Sequence, residues 1–473
     1  MSSQCFHHVL CFDPSSHAEE AGFRRPDSHE RVAAAEFEPP TLSEKRKQNG
    51  KNPPIPVLSS TFPAPLVLPD DDLALDPEYP PQSLIEWRDE EARNAVTKQR
   101  GVLYISGPPT IESTVEFIRA WSQPILSERQ AEIPHPKTQD IADYLSVFYP
   151  GMPVKLLPPD TFEFTAWNAT TRKTPRYIGL NHVPSKTITR IRTHASHDTL
   201  FLRQINLNDI LDAAISALPN DAYALVVIVE QDMYEDADDD FACGRAYGGS
   251  RVAVVSGARY HPGLDEVQGV ERMHGWPASH CRGYVDECSD AYTSVSETSK
   301  QKKKKQKKTA PGNVEEVQKP NLPPASNPQT NTSPMHAALL AHNSLSPSPS
   351  STPSPITLSH LWLSRLAKTA SHELGHCFGI DHCVYYACIM QGTASMVEDA
   401  RQPPYLCPVD LRKVLKAVEV GRRSAGGKEM SIAEREEEWC EGMLGFCMRM
   451  GEGGENAFGA FAAWLRGRIE ELS

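Results

Sequence analysis

Between residues 372 and 390 the sequence reads His372-Glu373-Leu374-Gly375-His376-Cys377-Phe378-Gly379-Ile380-Asp381-His382, followed by Cys383, Cys388 and Met390. Histidines four apart on a helix share a face, so His372 and His376 can both turn a ring nitrogen toward one zinc ion, with Glu373 beside them to take a proton from water. Gly379 can adopt the left-handed conformation that ends a helix, which lets the chain fold back and deliver His382 as a third ligand. Three protein ligands leave one position open for water, the arrangement of a hydrolytic zinc. With each residue type at a background of a few per cent, this pattern arises by chance in roughly one chain in ten thousand. Unliganded histidines on an ordinary helix are therefore the lesser reading.

These side chains need a rigid helix beneath them. Ser354-Pro355 is a helix-start signal, a serine cap with proline at the first helical position, and the helix is expected to run to about Phe378. Leu366, Ala370, Leu374 and Phe378 fall four apart and form its buried stripe, while the histidines take a neighbouring face. Upstream, a helical pattern at 83–100, a strand at 101–106, helical patterns at 111–121 and 141–148, strands at 154–157 and 187–192, and a helix at 206–218 alternate as in an α/β layer. Residues 224–230, Ala-Leu-Val-Val-Ile-Val-Glu, read as a central strand buried on both faces, and 251–256 as another strand. After the histidines, 411–420, 432–450 and 457–472 read as helices, with Cys440 and Cys447 as core thiols. The expected fold class is α/β (α+β): a mixed twisted sheet, a long helix carrying the histidines and a smaller helical C-terminal subdomain.

The chain has 473 residues, 40 of them proline, and a mean hydropathy of −0.45, so its packed part is expected to be smaller than its length. A net charge of −13 disfavours a general nucleic-acid binder, which needs a basic surface against phosphate. No run of about eighteen apolar residues offers a membrane span. The start, Met-Ser-Ser-Gln-Cys-Phe-His-His-Val-Leu-Cys, lacks the charged lead and apolar core of a secretory signal, so an intracellular location, cytoplasmic or nuclear, is expected. Eleven cysteines then read as thiols and metal ligands rather than disulfides. Composition divides the chain into a mostly disordered region 1–80, an α/β part 81–288, a low-complexity insertion 289–354 with the lysine run 302–308, and 355–473 carrying the helix and metal residues. The Cys5, His7, His8, Cys11 cluster lacks a second ligand pair at zinc spacing. The acidic stretch Glu235, Asp236, Asp238, Asp239, Asp240 reads as a solvated turn, and Cys243 as a packed thiol.

The pattern HExxHxxGxxH followed by Cys383, Cys388-Ile389-Met390, and the stretch Tyr234–Arg251 with Cys-Gly-Arg-Ala-Tyr-Gly-Gly-Ser-Arg, resembles the archaemetzincin family of zinc metallopeptidases within the metzincin clan. The resemblance covers roughly 80–288 and 355–420 and implies that the α+β fold is zincin-like, with the long helix as its active-site helix. It implies an intracellular hydrolase, a metalloprotease that cuts a peptide or protein substrate with Glu373 as general base and zinc held by His372, His376 and His382. It implies that Met390 forms the Met-turn beneath the metal, and that 251–256 is the rim strand that pairs with extended substrate. It also implies a second zinc on Cys383, Cys388 and Cys407. Here the family's fourth cysteine is replaced by Asp410, which can serve as an oxygen ligand or only cap the helix expected from Leu411; Cys440, Cys447 or water are the other candidates. Two zinc ions are thus expected. The rival class is a catalytically silent, zinc-stabilised peptide-binding protein, against which the retained Glu373 argues. Substrate identity and oligomeric state are not encoded in these patterns.

Overall fold

The computed structural model describes residues 7–37, 58–126, 131–168, 174–236, 239–292, 333–345, 353–424, 426, 429–451 and 456–473. Its strands are β1 (Val102–Ser106), β2 (Thr110–Ile111), β3 (Val154–Leu156), β4 (Phe162–Thr165), β5 (Tyr177–His182), β6 (Thr187–His194), β7 (Gln204–Asn206), β8 (Ala222–Val229), β9 (Met233–Tyr234), β10 (Gly244–Tyr247) and β11 (Val252–Ser256). They form a mixed α/β architecture. One sheet has the order β10-β11-β8-β1-β3, parallel throughout except that β10 runs antiparallel to β11. The other has the order β2-β4-β5-β6-β7-β9, with antiparallel pairing from β4 to β7.

The apolar run at β8 explains the layering. All eight of its residues are buried, and the period of two divides them between two cores. Ala224, Val226 and Ile228 join Leu366, Ala370 and Leu374 of the long helix Pro355–Cys377 in the larger core. Leu225, Val227 and Val229 join Ile210, Leu211 and Ala214 of the helix Leu207–Ala217 in the second. That helix is capped by Asn206, whose side chain accepts from Asp209 N at 3.2 Å.

The long helix begins as its sequence suggests, with Ser354 Oγ accepting from Thr357 N at 3.1 Å and Pro355 in the first turn. It packs against β10, β11 and the helix Thr138–Phe148. The helices Ile432–Met450 and Asn456–Leu472 pack on each other, and Trp439, Cys440, Met443, Phe446, Cys447, Phe461 and Trp464 all belong to the same large core as the long helix. They extend the main core rather than enclosing one of their own.

Four expectations differ from the structure. The helical pattern at 83–100 yields only Leu84–Asp89, because the charged stretch that follows offers no apolar stripe; its Arg93 instead sits over the Trp87 ring at 4.2 Å. Residues 251–256 were expected at the sheet rim, but β11 lies between β10 and β8, and the edge strand is β10. Against a mostly disordered 1–80, residues 7–37 and 58–80 are described, with Leu10, Phe62, Ala64, Leu66, Val67 and Leu68 buried. This segment has no periodicity because each residue meets a different element: Cys11 N donates to His280 O at 2.7 Å, Ala64 N to Phe12 O at 2.9 Å, and Ala387 N to Pro63 O at 2.9 Å. Within 289–354, residues Pro334–Leu345 form a helix packed on Asn456–Leu472, with Met335, Ala338 and Leu339 buried. Cys5, Asp238, the lysine run and the rest of that insertion lie outside the described residues, apart from 289–292, 333 and 353–354. Among the described residues no helix is long and apolar enough to cross a membrane.

Phe62 meets the rings of Tyr405 and Trp464, each at 5.5 Å between centroids, and is 2% exposed. Phe62→Ala is expected to lower stability by about 3–5 kcal/mol in urea denaturation of the full chain; an unchanged midpoint would show that this segment does not pack.

Candidate metal centre and cleft

The end of the long helix is made by Gly379, at φ +76°, the left-handed region that favours glycine. Gly379 N bonds to His376 O at 2.9 Å and Ile380 N to Gly375 O at 3.1 Å, which turns the chain back on itself. The carbonyls left over at the helix end also have partners. Tyr223 Oη donates to Cys377 O at 2.9 Å and Trp87 Nε1 to Phe378 O at 2.9 Å. The Phe378 ring is stacked between Tyr149 at 4.9 Å and Tyr223 at 4.5 Å.

This turn brings His382 to the face that carries His372 and His376. The three ring centroids lie 4.7, 5.3 and 5.1 Å apart, and each ring offers a nitrogen to one small space. His372 Nδ1 donates to Ile389 O and His376 Nδ1 to Ile380 O, both at 2.7 Å. A carbonyl only accepts, so each Nδ1 carries the proton and each Nε2 presents a bare lone pair. The two Nε2 atoms stand 3.0 Å apart. Two lone pairs facing each other repel, and a cation between them removes the conflict. Burial first, then the neighbouring imidazoles, pushes His372 well below the ordinary histidine range and His376 down to about 4; burial likewise lowers His382. All three are therefore neutral imidazoles, the form that binds metal.

Glu373 is 7% exposed and lies against β10, where a Cβ on Gly244 would fall 2.7 Å from its Oε1. Burial pushes its carboxyl up to about 8, opposed by Arg245 and reinforced by Glu235. Met390 is fully buried against the helix between the two histidines: a Cβ on Gly375 would lie 2.6 Å from its Sδ. His382 is flanked by the Tyr79 ring at 5.5 Å, and Gly392 keeps the space beside its Nδ1 open: a Cβ there would fall 2.7 Å from that nitrogen and clash with Asp72 Oδ2. A cleft of about 850 Å³ opens over these groups, walled by β10 through Gly244, Arg245 and Ala246. Asp239 and Asp240, read as a solvated turn, and Cys243, read as packed, also line it. Tyr79, Thr393 and Asp399 line it without having been singled out; only their fold-back in space marks them.

A second cluster adjoins the first through the His382–Cys383 peptide bond. Cys383, Cys388, Cys407 and Asp410 are all buried, with one donor atom from each inside a common 4.8 Å sphere of separation. Cys383 Sγ and Cys407 Sγ are 3.6 Å apart, and Asp410 Oδ2 lies 3.3 Å from Cys388 Sγ and 3.4 Å from Cys407 Sγ. Cys388 Sγ accepts from Cys407 N at 3.2 Å and from Met390 N at 3.5 Å, the donors a thiolate needs. Burial raises the Cys388 and Cys407 thiols; at Cys383 it is outweighed by hydrogen bonds from Cys388, Cys407 and Asp410, which hold that thiol low. Burial and the Cys383 charge push Asp410 up to about 7. The helix here is Pro408–Ser424, so Asp410 lies inside its first turn rather than capping a helix that starts at Leu411, and its Oδ2 faces the thiols. Lys413 Nζ forms an ion pair with Asp410 Oδ1 at 2.9 Å, although Oδ1 has no partner in hydrogen-bond geometry. Cys440 and Cys447 pack in the core and contribute nothing to this cluster.

Residues 356–416 match the sequence model of Peptidase family M54, and this segment contains every residue of both clusters. The particular relatives are archaemetzincins: Archaemetzincin-2 of Macaca fascicularis is 50% identical over 56 residues, and Archaemetzincin of Thermococcus kodakarensis 40% identical over 60. These alignments cover 12% and 13% of this chain and 16% and 32% of the relatives, so the chain spans only a small part of the length of the curated proteins it matches. The archaemetzincin resemblance read from the motif is borne out over that segment. Among solved structures, archaemetzincin from Archaeoglobus fulgidus aligns over 66% of this chain and 99% of its own, at 14% identity and a TM-score of 0.28. A zinc-dependent peptidase from Methanocorpusculum labreanum aligns over the same shares at 15% identity and a TM-score of 0.28.

Tyr223→Phe keeps the ring stack on Phe378 and removes the donor to Cys377 O. The expected loss is about 1–3 kcal/mol of unfolding free energy, the cost of an unpaired buried carbonyl; a loss below about 0.5 kcal/mol would mean that the helix end is held by the glycine turn alone.

Proposed function

We propose that this chain is a zinc-dependent metallopeptidase of zincin-like fold in which His372, His376 and His382 hold the catalytic ion and Glu373 is the general base. The observation that carries the reading is the pair of proton-free Nε2 atoms 3.0 Å apart, with His382 beside them, in a cleft that also buries a carboxylic acid. A cation satisfies that donor set, and three neutral imidazoles are a common zinc set that leaves one position open. Zinc held there supplies Lewis acidity, polarising a peptide carbonyl and making water more acidic near neutral pH.

The chain's own residues supply the rest. The Ile389 and Ile380 carbonyls fix the His372 and His376 tautomers and orient both rings, the outer-shell support that tunes a metal. Glu373 takes a proton from the attacking water as the C–O bond forms, then returns it to the leaving nitrogen as the C–N bond breaks, so protons balance over one turnover. Burial raises its proton affinity, and a cation on the adjacent histidines would favour the ionised form that accepts the proton. The edge strand β10, rather than β11, offers a free row of backbone groups beside Glu373 for an extended peptide. Met390 serves as the apolar floor of the Met-turn. Cys383, Cys388, Cys407 and Asp410 form a closed four-donor set for a second, structural zinc, with Asp410 in place of a fourth thiolate. Residues 81–288 and 355–473 together constitute the peptidase domain, acting on peptides or proteins in the reducing interior of the cell.

Glu373→Gln is expected to keep both zinc ions by elemental analysis and to lose at least about 10²-fold in cleavage of a mixed peptide library; wild-type turnover in this variant would refute the base assignment. Zinc in both proteins with cleavage in neither would instead favour a silent peptide-binding protein. Asp410→Ala is expected to lose one zinc and unfold at lower urea, whereas Asp410→Cys should retain it; two zincs in Asp410→Ala would remove Asp410 from the ligand set.

A further inference from the structure

The two clusters share more than a peptide bond. Lys413 and Asp410 are an ion pair at 2.9 Å whose side chains are 2% and 1% exposed. The same ammonium donates to Gln82 Oε1 at 2.9 Å. Gln82 Oε1 also accepts from Asp381 N at 3.2 Å, while Gln82 Nε2 donates to Gly379 O and to Asp381 Oδ2, each at 3.0 Å. One amide thus holds the whole Gly379–Asp381 turn, the segment that delivers His382, and the oxygen that accepts from Asp381 N also rests on the lysine beside the four-donor cluster. Only an amide side chain supplies donor and acceptor together in this way.

A buried ammonium needs a compensating charge, and Asp410 is the carboxylate that supplies it here. When Asp410 is fixed, Lys413 is fixed, and Gln82 is held against the turn. Without the carboxylate, Lys413 keeps only the amide oxygen; without an ion, Asp410 is held on its thiol side by hydrogen bonds alone, and the lysine it carries is less firmly fixed. We infer that Gln82 and Lys413 couple the two sites, so that filling the cysteine–aspartate site tightens metal binding at the three histidines by fixing the turn before His382. Gln82 is a positioning residue; it contacts neither set of donor atoms. This inference rests on the two-zinc reading above.

The test uses the full-length chain, with zinc affinity at the three-histidine site measured by chelator competition and the cobalt(II) absorption spectrum separating thiolate from imidazole sites. Gln82→Met keeps the side-chain length, removes both hydrogen-bonding groups, and is partly exposed, so folding is retained. Its three-histidine site is expected to bind zinc about tenfold more weakly, as for loss of an outer-shell partner, with the thiolate band unchanged. Asp410→Ala should weaken the same site, and the double variant should be little weaker than either single, the non-additivity that defines coupling. Asp410→Asn carries the cycle if Asp410→Ala does not fold. Wild-type affinity in Gln82→Met, or effects that simply add, would overturn the coupling while leaving both sites intact. A wild-type chain that binds fewer than two zincs would instead remove the two-zinc reading and the inference with it.

Discussion

The turn at Gly379 is the constraint on which both clusters depend. Within five residues the chain must end a 23-residue helix, reverse, and present His382 to the helix and Cys383 to the neighbouring cluster. No Cβ fits at this point: it would fall 2.7 Å from Arg93 Cγ, and the positive φ would strain any other residue. Arg93 is itself held over Trp87, whose indole donates to the carbonyl just before the turn. The helix end is therefore closed from three sides, by Trp87 and Arg93, by Tyr223, and by Gln82. Each comes from a region far away in sequence, which is how a local glycine signal becomes a rigid site.

Burial sets the electrostatics. The three imidazoles are kept neutral by desolvation, which prepares them for a cation rather than a proton. The same desolvation raises Glu373 beside them, so a single apolar enclosure disfavours charge on the imidazoles and on the acid alike. The enclosure comes from glycines as much as from large side chains. Gly244 lets β10 close over Glu373, and Gly375 lets Met390 approach the helix between the histidines.

The histidine motif, the start of the long helix and its apolar stripe, and the both-faces-buried strand β8 were all legible, because each is a local pattern with one physical solution. What was not legible depends on distant partners. β10 is short, charged at Arg245, begins at a glycine and is followed by Gly248-Gly249, so nothing in its residues announces that it, and not the more apolar β11, is the edge. The N-terminal segment around Pro-Leu-Val-Leu-Pro has no period, since its prolines cannot join a ladder and its side chains fill separate gaps beneath Phe62, Val67 and Leu68. Tyr79 reaches the third histidine from that same segment, which is why sequence spacing around the motif could not find it.

In the proposed second site, Asp410 stands where the resemblance expects a fourth cysteine. Three thiolates and a carboxylate around one divalent ion would leave two negative charges in a buried space, which is costly unless opposed. The fold opposes them twice. Asp410 stands in the first turn of the helix Pro408–Ser424, where the backbone N–H groups favour an anion. Lys413, one turn on along the same face, places an ammonium 2.9 Å from the carboxylate. A thiolate at 410 would carry the same formal charge, but its softer sulfur makes a poorer partner for an ammonium, whereas a carboxylate can use one oxygen toward the thiols and turn the other to the lysine. The aspartate thus does what the thiolate does not: it links the cluster to a lysine, and through that lysine to Gln82 and the turn that carries His382.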